Sequence, residues 1–201
     1  MKKRIITISR EFGSGGHTLG KLIAENLGIN FYDSELIDKA VEETGFSHEF
    51  VKEAGEYAST ANSLLFSLSM SATNGHMGMP SNYDKIFIAQ NNIIQELANK
   101  EPCVIVGRCA DFILRERDDC LNIFVYADME SRAKRVLERY GEYKGVSIEK
   151  RLREKDKKRA LYYRHYTGQS WGSLKNYHLS IDSSAITLED AAKFISQIVK
   201  D

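Results

Sequence analysis

The stretch from Arg4 to Gly28 constrains this chain more than any other. Arg4–Ser9 is a short β-branched run that reads as a buried strand. Gly13-Ser14-Gly15-Gly16 follows as a turn. Leu19, Ile23 and Leu27, with Leu22 and Ala24 between them, then form a helical stripe that Gly28 stops. A strand, a glycine-rich turn and a helix in immediate succession make an anion site. The turn's N–H groups converge, and the helix N-terminus adds partial positive charge. Glycine is required where backbone must approach an anion closely or take a positive φ.

The same alternation continues along the chain. Ile29–Tyr32, Cys103–Val106, Leu121–Ala127 and Tyr177–Ile181 read as further strands. Between them lie a helix from Ser34 to about Thr44, a shorter one capped by Ser47 with Phe50, Val51 and Ala54 on one face, and one over Asp84–Lys100 with Ile86, Ala89, Ile93 and Leu97 in register. Asp128 caps a helix whose apolar residues are Ala133, Val136, Leu137 and Tyr140. A basic helix runs over Ile148–Tyr163, and Thr187-Leu188-Glu189-Asp190 reads as a capping box before a last helix that buries Ala191, Phe194, Ile195 and Ile198. The expectation is a three-layer α/β/α fold around a mostly parallel five-stranded sheet. Such a sheet binds ligands at the carboxyl ends of its strands.

Composition is that of an ordinary globular domain, with 42% hydrophobic and 28% charged residues. Basic and acidic residues both number 28, which argues against wholesale nucleic-acid or membrane binding. Residues 150–164 are the exception, with eight basic side chains against two acidic. Apolar stretches fall well short of the roughly 20 residues that span a bilayer. The three cysteines lack CxxC spacing and read as free thiols of a reducing compartment, so a cytoplasmic protein is expected, as monomer or homodimer.

Two registers compete for the phosphate-loop pattern GxxxxGK[ST]. Gly15-x4-Gly20-Lys21 fits the spacing, but Leu22 follows where a Mg²⁺-binding hydroxyl is expected, and Gly20–Leu22 lies inside the helical stripe. The other begins at Arg10, directly after the strand. It puts Gly13, Ser14, Gly15 and Gly16 in the turn, His17 beside it and Thr18 on the first helical turn. Gly16 then stands where the lysine belongs. We prefer this second register on geometry.

Ile8–Gly16, Leu19–Ala24, Phe31–Ile37, Val104–Asp111 and Ile181–Ser184, in this order and spacing, resemble the cytidylate kinase-like family over nearly the whole chain apart from about residues 55–82. The resemblance implies a P-loop NTPase core with helical nucleotide-binding and LID insertions, here 33–100 and 145–172. It implies ATP and Mg²⁺ as cofactors and a nucleoside monophosphate, CMP or dCMP, as acceptor. It also implies acceptor contacts from a Gly-Arg-Asp stretch, of which Gly107 and Arg108 match, Cys109 replaces the aspartate and Asp111 lies two residues on. In the LID it implies an Asp-x-x-Arg, here Asp156 to Arg159.

On this reading Arg10, Arg153 and Arg159 stabilise the transferring phosphoryl group. Gly13–Thr18 hold the nucleotide phosphates, Thr18 ligates the metal, and Asp33, Arg108, Asp111 and Asp156 meet the substrate. Plainer alternatives stand beside each: Arg10 paired with Glu11, Asp33 and Asp111 as helix caps, the basic helix as a solvated face. A P-loop protein that binds a nucleotide or another phosphorylated ligand without transfer is a second reading. A kinase for another small acceptor is a third. Partners are nucleotide and small-molecule substrates; no nucleic acid and no membrane are expected, with nucleic-acid docking by the basic helix a lesser option. Segment 59–82, rich in Ser, Met, Asn and Gly, is expected to be mobile. Limited proteolysis should cut there first and be slowed by bound substrate; uniform resistance of the ligand-free protein would overturn this.

Overall fold

The computed structural model describes residues 3–55, 81–141 and 145–200. The expectation for 59–82 lies outside these residues except at Ser81 and Asn82.

Five strands form one parallel sheet: β1 (Ile5–Arg10), β2 (Asn30–Tyr32), β3 (Cys103–Val106), β4 (Cys120–Tyr126) and β5 (Leu179–Asp182). Their spatial order is β2-β3-β1-β4-β5, with every pairing parallel. Strand side chains alternate between two cores, because successive Cβ atoms point to opposite faces. Ile6, Ile8, Val104, Val106, Ile123 and Val125 pack against α1 (Gly16–Leu27) and the last helix, α8 (Leu188–Lys200). Ile5, Cys103 and Ile105 face the opposite core, built with α2 (Glu35–Thr44), α3 (His48–Ala54) and α4 (Asn82–Lys100). With both faces covered, the central strands read as continuous apolar runs. The expected three-layer α/β/α fold is the one found.

Capping explains most helix starts. Ser47 accepts the Phe50 amide at 3.3 Å, Ser81 and Asp84 form a reciprocal capping box, and Asp128 accepts the Ser131 amide at 2.7 Å. Thr187 accepts the Asp190 amide at 3.1 Å ahead of α8. Ser34 departs from expectation: its backbone is already helical and its side chain caps nothing.

Two helices turn differently from the sequence reading. In α6 (Met129–Tyr140) the inward residues are Arg132 and Val136, while Leu137 and Tyr140 are exposed. In α8 the buried stripe is Ala191, Ala192, Ile195, Ser196 and Val199; Phe194 and Ile198 lie outside it, 49% and 38% exposed. Each stripe follows the 3.6-residue period, but its centre is fixed by which flank the sheet covers, and large apolar residues on the other flank stay in water.

The carboxyl ends of all five strands bring Arg10, Asp33, Gly107, Ala127 and Ser183 to one edge. A short helix α5 (Ala110–Ile113) and the long α7 (Ile148–Thr167) complete the fold there. Ile195→Ala should cost about 2–4 kcal/mol in denaturant unfolding. Phe194→Ser and Ile198→Ser should each stay within about 0.5 kcal/mol. Equal losses at the three positions would show that the stripe is drawn wrongly.

Candidate functional site

The chain leaves β1 at Arg10 and enters a loop that ends in the first turn of α1. Gly13 and Gly15 have φ of 84° and 85°. A Cβ at Gly13 would lie 2.9 Å from the Arg132 carbonyl oxygen, so that site is closed to side chains by crowding as well as conformation. The loop is braced from inside. Ser14 donates its hydroxyl to the Glu11 carbonyl at 2.9 Å, and Ser183, at the end of β5, donates to the Ser14 carbonyl at 2.6 Å. Arg135 in turn grips Ser183 through its hydroxyl at 3.0 Å and its carbonyl at 2.6 Å. The amides of Gly13, Gly15, Gly16, His17 and Thr18 find no acceptor among the described residues. They border an open cleft of about 840 Å³.

Gly16 and Arg10 share one space. A Cβ on Gly16 would lie 2.6 Å from the Arg10 Cβ, and one on Gly107 would strike the Arg10 guanidinium. The arginine is thus threaded between two glycines and reaches Asp33, whose Oδ1 is 3.9 Å from Nη2. Asp33 also holds His17 Nδ1 at 2.6 Å, and the His17 ring meets Phe31 edge-on. Arg10, His17 and Asp33 therefore converge beside the turn. Lys21 stands apart: it is exposed on α1 and pairs with Glu25 at 3.9 Å, while Gly20 is packed under Ile8, Phe31 and Val106. The formal Gly15-x4-Gly20-Lys21 match thus begins in the loop but puts its second glycine and its lysine inside α1.

After β3, Gly107, Arg108 and Cys109 take φ of 78°, 57° and 55° in succession. Two non-glycine residues in the left-handed region cost about 1–2 kcal/mol each. The bend delivers Arg108, buried yet bordering the cleft, while Cys109 packs with Tyr162 and Tyr163.

From α7, Arg151, Lys155 and Arg159 border the cleft at four-residue spacing. Arg159 Nη1 donates to the Arg10 carbonyl at 3.0 Å. Arg153 does not belong to this face: two residues from Arg151, it is exposed on the other side of the helix with Lys150 and Lys157. Across the cleft Phe12 and Tyr140 face one another with ring centroids 6.3 Å apart, and the Arg151 guanidinium lies 5.8 Å from the Phe12 ring. Eight basic side chains border the cleft against three acidic ones, in a chain whose formal charge is zero.

Two other expected site residues sit elsewhere. Asp111 is buried behind β1, accepting the Tyr163 hydroxyl at 2.7 Å and the Ser9 hydroxyl at 3.3 Å. Burial outweighs these bonds and pushes its carboxyl up to about 6. It is an interior acid, because α5 starts one residue earlier and turns it toward the sheet. Asp156 does not border the cleft. Its Oδ1 accepts the Phe12 amide at 2.7 Å and its Oδ2 meets the guanidinium of Arg132. Arg132, Arg135 and Ser183 were missed in the sequence. For Arg132 there was a signal: it lies four residues before buried Val136, on the same helical face.

With this geometry in view, comparison with known proteins is specific. The cytidylate kinase-like family model matches residues 5–185. The chain belongs to the cytidylate kinase-like family. It is 28% identical over 182 residues to a cytidylate kinase of Methanosarcina mazei, covering 89% of this chain and 86% of the other. It is 27% identical over 200 residues to a cytidylate kinase of Archaeoglobus fulgidus, covering 97% and 94%. Among solved structures it is similar to an uncharacterized protein from Eubacterium ventriosum, with a TM-score of 0.70, 28% identity and 98% of each chain covered. A shikimate kinase from Bacteroides thetaiotaomicron shares the fold with a TM-score of 0.58 at 15% identity, covering 98% of each chain. Family and fold together are those of a P-loop phosphotransferase.

The family member's buried Asp111 titrates higher when folded than when unfolded, so the stability it contributes is complete below about pH 4 and is lost as pH rises through about 6. Asp111→Asn should therefore gain on the wild type by on the order of 2–3 kcal/mol between pH 4 and pH 7. Urea unfolding at both pH values checks this; a difference independent of pH would overturn it.

Proposed function

We propose that this cleft transfers a phosphoryl group from ATP to a small phosphorylated acceptor, with CMP or dCMP the first candidate. The observation that carries the reading is the set of loop amides without internal acceptors, Gly13, Gly15, Gly16, His17 and Thr18, opening on a cleft with a large excess of basic side chains. Unpaired backbone donors are costly unless water or a ligand meets them, and converging ones suit a polyphosphate.

Each residue then has a task. The loop amides bind the donor phosphates. Arg10 occupies the space beside Gly16, where a lysine would otherwise begin, and supplies the missing positive charge from the strand rather than from the helix. Its planar fork grips two phosphate oxygens at once. Arg159, with Arg151 and Lys155, closes over the transferring group from α7. Arg108 and Asp33 face the acceptor side. Thr18 is exposed at the cleft, its hydroxyl makes no hydrogen bond among the described residues, and it fits Mg²⁺ ligation there. The metal, when bound, neutralises charge on the donor phosphates. Catalysis is positioning and charge neutralisation, with no covalent step for the protein. Three buried free cysteines suit a reducing cytoplasm.

The glycine at position 16 favours a second reading, a nucleotide-binding protein without transfer. ADP release across a panel of nucleoside monophosphates and small alcohols separates the two. Turnover with CMP supports the kinase, while ATP binding without turnover on any acceptor supports the alternative. Within the kinase reading, Arg10→Ala should lose roughly 30- to 1,000-fold in kcat/KM, equivalent to about 2–4 kcal/mol. Lys21→Ala should stay within about threefold of wild type. The opposite pattern, in variants whose thermal melting is unchanged, would return the lysine role to Lys21.

A further inference from the structure

The backbone of Phe12, immediately before the first glycine of the loop, is held at both its N–H and its carbonyl. Asp156 takes its N–H at 2.7 Å and Arg132 Nε donates to its carbonyl at 2.8 Å. The two side chains also meet each other, Arg132 Nη2 against Asp156 Oδ2, and Arg132 Nη1 reaches Glu11 Oε2 at 3.0 Å. Their side chains are 5% and 17% exposed, and neither borders the cleft. Arg132 comes from α6 and Asp156 from α7, so one ion pair joins two helices to the loop between them.

We propose that Arg132 and Asp156 form a single positioning device that sets the phosphate loop and the cleft-facing cations of α7 in mutual register. The inference rests on the cleft binding a polyphosphate, as argued above. Both oxygens of Asp156 are already engaged, which gives this residue a strut's role rather than a place on the substrate. It is next in sequence to Lys155, so its docking fixes how Arg151, Lys155 and Arg159 present themselves to the phosphates. An arginine suits the junction because its fork serves the carbonyl and two carboxylates at once, which an ammonium cannot do in one geometry. Removing either member leaves the other charged and buried beside the loop.

The test uses the full chain with Arg132→Met, Arg132→Lys, Asp156→Asn and the double variant Arg132→Met with Asp156→Asn. Affinity for Mg·ADP and for tripolyphosphate is measured by calorimetry, well below each variant's melting temperature. Turnover is measured with CMP and dCMP. Each single variant should bind both probes about 10- to 100-fold more weakly, and the double should be no worse than the poorer single, as expected for residues acting as one unit. The ratio of kcat/KM for CMP over dCMP should not move. Arg132→Lys keeps the charge and Asp156→Asn keeps an acceptor for the Phe12 amide, so a folded variant is in hand even if Arg132→Met unfolds.

Additive losses, or unchanged probe affinity in folded variants, would overturn the proposal. So would a change in the CMP to dCMP ratio confined to Asp156→Asn, which would make that residue a ribose contact. If the wild type turns over neither nucleotide, the kinase reading fails alone and the device is still judged on probe affinity. If it binds neither probe, both fall.

Discussion

Every other feature of the site depends on one backbone constraint: between β1 and α1 the amides of Gly13, Gly15, Gly16, His17 and Thr18 must face the cleft without being satisfied internally. A loop left to itself would fold those donors onto its own carbonyls. Here the carbonyls are taken first. Ser14 and Arg132 claim those of Glu11 and Phe12, Ser183 claims that of Ser14, and Arg159 claims that of Arg10. With these acceptors occupied, the amides of Gly13, Gly15, Gly16, His17 and Thr18 are left facing the cleft, and the Ser14 amide turns inward onto the Glu11 carbonyl at 3.3 Å. The bracing residues come from β5, α6 and α7, so the loop's shape is a property of the whole sheet edge.

A second consequence is the crowding of positive charge. A neutral chain places eight basic groups around one opening, and that arrangement would be repulsive without internal relief. At the cleft itself Asp33 stands between Arg10 and His17, while Glu11 and Asp156 neutralise Arg132 behind it. Burial raises the Glu11 carboxyl while Arg132 lowers it, with burial the larger influence. These acids therefore belong to the scaffold that concentrates the cations. The left-handed turn at Arg108 and Cys109 is a related cost, backbone strain accepted to bring a buried guanidinium to the cleft wall.

Much of the fold was legible in the sequence, because β-branched runs, capping residues and glycine stops are local signals. Cys103–Val106 came out with the boundaries expected, and the expected strands and helices follow in the expected order among the described residues, with the short α5 added between β3 and β4. The helical placement of Gly20–Leu22 was legible too, since those residues already carried the helical stripe. Within the site, Arg10, Asp33, Arg108 and Arg159 are placed around the cleft, whereas Arg153, Asp111 and Asp156 are not. Those three have two causes. Asp111 stands among Ala110, Phe112, Ile113 and Leu114 in a short helix that the sequence reading did not give, whereas Arg153 and Asp156 sit in a charged run where sequence gives the helix but not its rotation. Phe194 and Ile198 fail in the same way on the apolar side.

The sequence by itself determined that a strand would pass through glycines into a helix, that strands and helices would alternate, and that basic residues would gather late in the chain. These follow from neighbouring residues, whose conformational preferences act over a few bonds. Only the tertiary structure decided that Arg10 would fill the space of a side chain at Gly16, and that Ser183 would meet Ser14 across 169 residues. It alone put Arg132 and Asp156 on either side of the Phe12 backbone. Such contacts join elements far apart in the chain, and no local propensity encodes them. They exist because the parallel sheet brings all its carboxyl ends to one edge, where packing leaves each side chain a single place to go.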